Sequence, residues 1–78
     1  MNDLVVFVAR ALVDEPDLVQ VTEEPGQADN AVVLKLRVAP ADLGKVIGRG
    51  GRTARALRTL VAAAAARTRK RVLLDIVE

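Results

Sequence analysis

Residues 38–61 read VAPADLGKVIGRGGRTARALRTLV, and the glycines in the middle of this stretch decide how the rest of the chain folds around it. Pro40 suits the first position of a helix, where a missing amide hydrogen costs nothing, and Asp42 in the first turn complements the helix dipole. A short helix is therefore expected to reach Ile47. Gly48 fits the left-handed position just past a helix end, and Gly50 with Gly51 permits a tight turn. A second, longer helix is expected from about Arg52 to Arg67, with Leu57, Leu60, Val61 and Ala64 at the spacing of a buried stripe. The stretch reads as two helices hinged on glycines.

Outward from it, Ala31 to Val38 is β-branched and alternating, with Val32, Leu34, Leu36 and Val38 on one side of the pleat and Val33, Lys35 and Arg37 on the other. Pro25, Gly26, Asp29 and Asn30 mark the loop before that strand. Leu18 to Glu23, where Val19 and Val21 flank Gln20, is the expected hairpin partner. Ahead of Pro16, residues Asp3 to Val13 set Leu4, Phe7, Val8, Ala11 and Leu12 at the spacing of one helical face, which places Phe7 in the core. After the long helix, Arg71 to Val77 alternates Val72, Leu74 and Ile76 with Arg71, Leu73, Asp75 and Val77. The order α-β-β-α-α-β predicts an α+β fold, a three-stranded mixed sheet with the helices on one face. The hairpin pair is antiparallel, and the helical crossover allows a parallel third strand.

A chain of 78 residues is expected to form one domain, residues 1–78. With 51% hydrophobic and 28% charged residues it has the balance of a folded protein, whereas disordered chains lack the apolar surface to offset ordering. Cys, His, Ser, Tyr and Trp are all absent. That removes disulfides, thiolate and imidazole metal sites and the commonest general base, and leaves threonine and lysine with nothing to activate them. No enzyme, cofactor, metal or small-molecule substrate is expected. The longest uncharged apolar run, Leu60 to Ala66, is far short of the roughly 20 residues that span a bilayer. Asp3 ahead of the apolar run Leu4 to Ala9 argues against a secretory signal, so a cytoplasmic location with no membrane partner is expected.

The net charge of +2 conceals a division. Residues 1–30 hold one basic residue against seven acidic ones, and residues 31–78 hold eleven basic against three acidic. Segregation of this kind can make one surface electropositive, and such a surface attracts polyanions, most often nucleic acid. Solvated helix faces are the plainer explanation, and position along the chain has to decide between the two.

The position is telling. Gly48 and Gly51 frame Arg49 and Gly50 in a GxxG loop, with Lys45 and Arg52 on either side and Arg55 one turn further along the second helix. Glycines let a phosphodiester backbone approach the main chain, amides at the following helix start can meet phosphate oxygens, and the cations supply countercharge. By themselves two glycines at this spacing are equally suited to a helix-to-helix turn. A nucleotide-binding P-loop is excluded twice, by Arg52 in place of lysine and Val46 in place of the first glycine, and a dinucleotide fingerprint fails at Thr53. The acidic pairs show no calcium-loop spacing.

With the preceding hairpin and short helix, V-I-G-R-G-G resembles the loop of the K-homology (KH) family of single-stranded nucleic-acid binders, which clamps about four nucleotides. The element order looks like the type II arrangement of that family. More narrowly, LVVFVARALVDEPDLV, VAPADLGKVIGRGGRTARALRTLV and RVLLDIV are similar to the small stand-alone bacterial KH proteins of the KhpA type. The resemblance covers essentially the whole chain. It implies single-stranded RNA binding in the cytoplasm, with dimerisation with itself or with a related KH protein. It also implies a role in RNA-based regulation, RNA chaperoning or cell-shape control. The RNA-binding residues it implies are Lys45, Gly48, Arg49, Gly50, Gly51, Arg52 and Arg55. Gly50 stands where the family often has a polar or basic residue, which reduces loop charge. Because Phe7 is the only aromatic residue, bases would have to lie against aliphatic side chains. Val46, Ile47, Leu36 and Val38 are candidates for such a groove or, alternatively, for the core.

The competing reading is a protein-interaction module whose glycine turn is only structural. Val33, Leu73 and Val77 on the back of the sheet would then be candidates for a docking patch.

Overall fold

The computed structural model describes residues 2–77. Its elements run α1 (Asn2–Leu12), β1 (Gln20–Pro25), β2 (Ala31–Arg37), α2 (Leu43–Ile47), α3 (Arg52–Ala66) and β3 (Arg71–Val77). Single 3₁₀ turns lie at Pro16–Leu18, Pro40–Asp42 and Arg49–Gly51. The sheet order is β1-β2-β3. β1 pairs antiparallel with β2 in a register that sets Gln20 opposite Arg37 and Pro25 opposite Val32. β2 pairs parallel with β3, from Ala31 opposite Arg71 to Arg37 opposite Val77. The expected α+β fold and mixed sheet are therefore observed.

The pleat divides the strands as the alternation requires. Leu34, Leu36 and Val38 are buried, with Val32, Val72 and Ile76 packed at the edge of the same core and Leu74 inside it. On the opposite face Leu73 is 60% exposed. The helices thus cover one side of the sheet only. Each fully buried leucine or valine contributes about 1.5–3 kcal/mol. Arg58 fastens α3 to the sheet, its Nε donating to the Leu74 carbonyl at 3.2 Å.

Three expectations change. The first strand begins at Gln20 rather than Leu18, because the Leu18 amide is spent on the Glu15 carbonyl inside the turn that Pro16 starts. On α1 the buried residues are Val5 and Ala9, followed by Val13 just past its end, while Phe7 is 74% exposed. Residues 4–9 are all apolar, so more than one stripe fits the helical period. The stripe that packs has Ala9 at its centre, where a small side chain lets the helix approach the sheet. On α3 the buried stripe is Ala54, Leu57, Val61 and Ala65. Leu60 is 49% exposed and Ala64 only half-buried, so the seam lies one residue round from the expected one.

Candidate nucleic-acid interface

α2 and α3 meet at the glycine loop, and each glycine there has a positive φ. Gly48 ends α2 with its amide on the Gly44 carbonyl at 2.8 Å and sits at φ 76°, ψ 169°, a region essentially restricted to glycine. A Cβ at Gly48 would stand 2.8 Å from both the backbone nitrogen and the Cβ of Thr53, so the loop folds directly against the first turn of α3. Gly50 is different: at φ 64°, ψ 18° it needs the left-handed region, but nothing lies within 4 Å of where its Cβ would be. The chain beside Gly50 is bare backbone facing open space. Gly51, also left-handed, leads into α3, whose start has no side-chain cap. The Gly51 amide donates to the Gly48 carbonyl at 3.1 Å and the Arg52 amide to the Arg49 carbonyl, so the turn is closed on itself, and it lies at the positive end of the α3 dipole.

Arg49, Arg52 and Arg55 are exposed around this backbone. Among the described residues none of the three has a carboxylate partner. Lys45 is arranged otherwise. Its ammonium donates to the Asp14 carboxylate and lies 3.5 Å from Asp42. Of the expected cationic set, three side chains face solvent without an ion-pair partner among the described residues, and the fourth is tied to two carboxylates at the surface.

Asp42 is the residue whose position the sequence did not disclose. It is 2% exposed and accepts the Glu15 amide hydrogen at 3.0 Å, which ties the end of α1 to the start of α2. Burial pushes its carboxyl up, but the amides of Glu15 and Asp14 and the Lys45 ammonium outweigh this and hold it below the ordinary value. The hydrogen bond to Asp14 in turn raises Lys45, against the opposing pull of desolvation. Asp14 and Lys45 are 31 residues apart and Glu15 and Asp42 are 27 apart. No local spacing signals either pairing.

The four residues left between groove and core divide between them. Leu36, Val38 and Val46 are buried in the core and present no surface to a base. Ile47, 37% exposed beside Gly48, is the one member of that set at the surface. Among the described residues no cluster of acidic side chains could hold a metal ion, and no helix is long and apolar enough to cross a membrane.

An antiparallel hairpin after a first helix, then a helix-GxxG-helix unit and a third strand parallel to the second, is the architecture of a KH domain. The glycine loop lies between its two central helices. The chain belongs to the KhpA/KhpB KH-domain family, whose model matches residues 2–76. It is 51% identical over 77 residues to the RNA-binding protein KhpA of Caldanaerobacter subterraneus subsp. tengcongensis, covering 99% of this chain and 100% of the relative. It is 51% identical over 78 residues to the RNA-binding protein KhpA of Aquifex aeolicus, covering 100% and 96%. The RNA-binding protein KhpA of Treponema pallidum is 50% identical over 77 residues, covering 99% and 94%. No solved structure matches the chain significantly.

Proposed function

We propose that this protein binds single-stranded RNA, with the backbone of Gly48 to Gly51 against the phosphates and Arg49, Arg52 and Arg55 as countercharges. The observation that supports this reading is the trio of unpaired guanidinium groups around a loop stripped of side chains at the uncapped start of α3. The names of the relatives agree with it. Lys45 joins the contact only by leaving Asp14. Phosphate contacts carry no direct sequence information, so binding is sequence-tolerant, as RNA-based regulation or RNA chaperoning would need. Ile47 is the aliphatic surface nearest the loop for a base to lie against. The cytoplasm is the compartment this reading calls for. Cell-shape control, and pairing with another KH protein, are carried by the resemblance alone.

The test is titration of fluorescent single-stranded RNA with the wild type and with Arg49→Asp/Gly50→Asp, circular dichroism monitoring the fold. Three neutralised phosphates give a slope of log K against log salt near −2 for a single strand, and four give about −3. A folded double variant that has lost salt-dependent binding supports the clamp. Equal, weak binding by both proteins reduces the loop to a turn.

A further inference from the structure

Four of the eleven cations in residues 31–78 play no part at the glycine loop and stand together: Arg67, Arg69, Lys70 and Arg71, at the turn from α3 into β3. All four side chains are exposed, and among the described residues none has a carboxylate within ion-pairing distance. Lys70 does look onto acidic neighbours, since it lines one shallow depression with Glu23, Glu24 and Asp29. Arg71 borders a different one, with Ala28, Val33 and Leu73, and no acidic residue lines it. Most of the turn's positive charge therefore rests on the three arginines.

The turn has a fixed shape. The Thr68 amide and hydroxyl both donate to the Ala65 carbonyl at 2.9 Å, closing the end of α3. Asn30, in the hairpin loop, bonds on either side of Lys70: its Nδ2 donates to the Arg69 carbonyl at 3.4 Å, and its carbonyl accepts the Arg71 amide hydrogen at 2.9 Å. Arg69 sits at φ 58°, the one positive φ outside glycine among the described residues. Glycine or asparagine meets that conformation most readily, so an arginine there is held against its local preference. One cation in the last turn would suffice to complement the dipole of α3, and three arginines exceed that need.

The glycine loop and this turn stand at opposite ends of α3. Fifteen residues of helix make about 22 Å, which a stacked single strand covers in about six to seven nucleotides at roughly 3.4 Å per phosphate. We propose that Arg67, Arg69 and Arg71 form a second phosphate-contact site, which takes up the RNA strand after it leaves the glycine loop. The proposal rests on the RNA-binding reading above and extends its footprint from about four nucleotides to about ten.

Anisotropy titrations with oligouridine of about 5 and of about 12 nucleotides test this, since only the longer strand can reach both ends of α3. The proteins are the wild type, Arg67→Gln/Arg69→Gly/Arg71→Thr, and the loop variant Arg49→Asp/Gly50→Asp. Arg69→Gly relieves the left-handed strain and Arg71→Thr suits a strand, so circular dichroism should show the turn variant folded. It binds the short RNA as the wild type does. It binds the long RNA at least about tenfold more weakly, and its salt slope there is shallower by about 2, the share of three phosphates on a single strand. Arg69→Gly by itself gives the same pattern with a slope change of about 0.7. A folded turn variant that binds the long RNA as the wild type does overturns the proposal. So does equal weakening on both RNAs, which would make the arginines a general field and not a second contact. The loop reading fails by a different sign, the short RNA bound equally by the wild type and the loop variant, and the proposal, which starts from a strand held at the loop, falls with it.

Discussion

The carboxylate of Asp42 accepts the amide hydrogen of Glu15 at 3.0 Å, so a buried charge just before α2 clamps the end of α1 to the unit that carries the glycine loop. The same carboxylate lies 3.5 Å from Lys45, whose ammonium also binds Asp14. α1, the turn after it and α2 are thereby joined by one acidic residue.

Removing that carboxylate should loosen all three. Asp42→Ala leaves the Glu15 amide without its acceptor, and Asp42→Asn keeps an acceptor but loses the charge. Both lower the urea midpoint, the alanine variant more. The pH dependence follows from the shifts. Because folding depresses the Asp42 carboxyl, its contribution is present above the ordinary value of 3.8 and is lost as pH falls below it. Lys45 is raised, so its contribution is present below 10.5 and is lost as pH rises through the higher folded value. Urea unfolding against pH should show the gap between wild type and Asp42→Asn closing at the acid end, and the gap to Lys45→Met closing at the alkaline end.

Freeing Lys45 should strengthen RNA binding. Asp14→Asn removes its exposed partner, and the affinity rises roughly two- to fivefold, the scale of an exposed ion pair. The salt slope steepens by about 0.7, one additional phosphate contact on a single strand. Anisotropy titration at several salt concentrations measures both, and an unchanged slope would show that Lys45 takes no part.

Gly48 and Gly50 should tolerate alanine differently. Gly48→Ala must place a Cβ against Thr53 as well as hold φ 76°, and should cost about 1–3 kcal/mol. Gly50→Ala meets no neighbour and carries only the left-handed penalty, about 1 kcal/mol. Thermal denaturation of the two variants ranks them.

The seam of α3 is checked by a pair of truncations. Leu57→Ala empties a buried position and should cost about 2–5 kcal/mol, whereas Leu60→Ala, half in water, should cost under about 1 kcal/mol. Equal losses would mean that α3 packs on the face its alanines and leucines first suggest.

Much of this molecule is legible in its sequence. The alternation of Ala31 to Val38 and of Arg71 to Val77 named the residues that face the core, since a strand has a period of two and only one register puts its apolar set inside. The glycines at 48, 50 and 51 marked the loop, because positive φ is a demand each residue meets or fails locally. Tertiary packing alone decided the rest. In α1 and α3 apolar residues surround more of the helix than one face can bury, so contact with the sheet chose Val5 and Ala9 over Phe7, and Ala54 and Ala65 over Leu60. Lys45 was one of four cations beside the loop until the fold brought Asp14 to it. A backbone's conformational needs are written residue by residue, but which helix face packs and which charge finds a partner depend on segments far apart in the chain coming into contact.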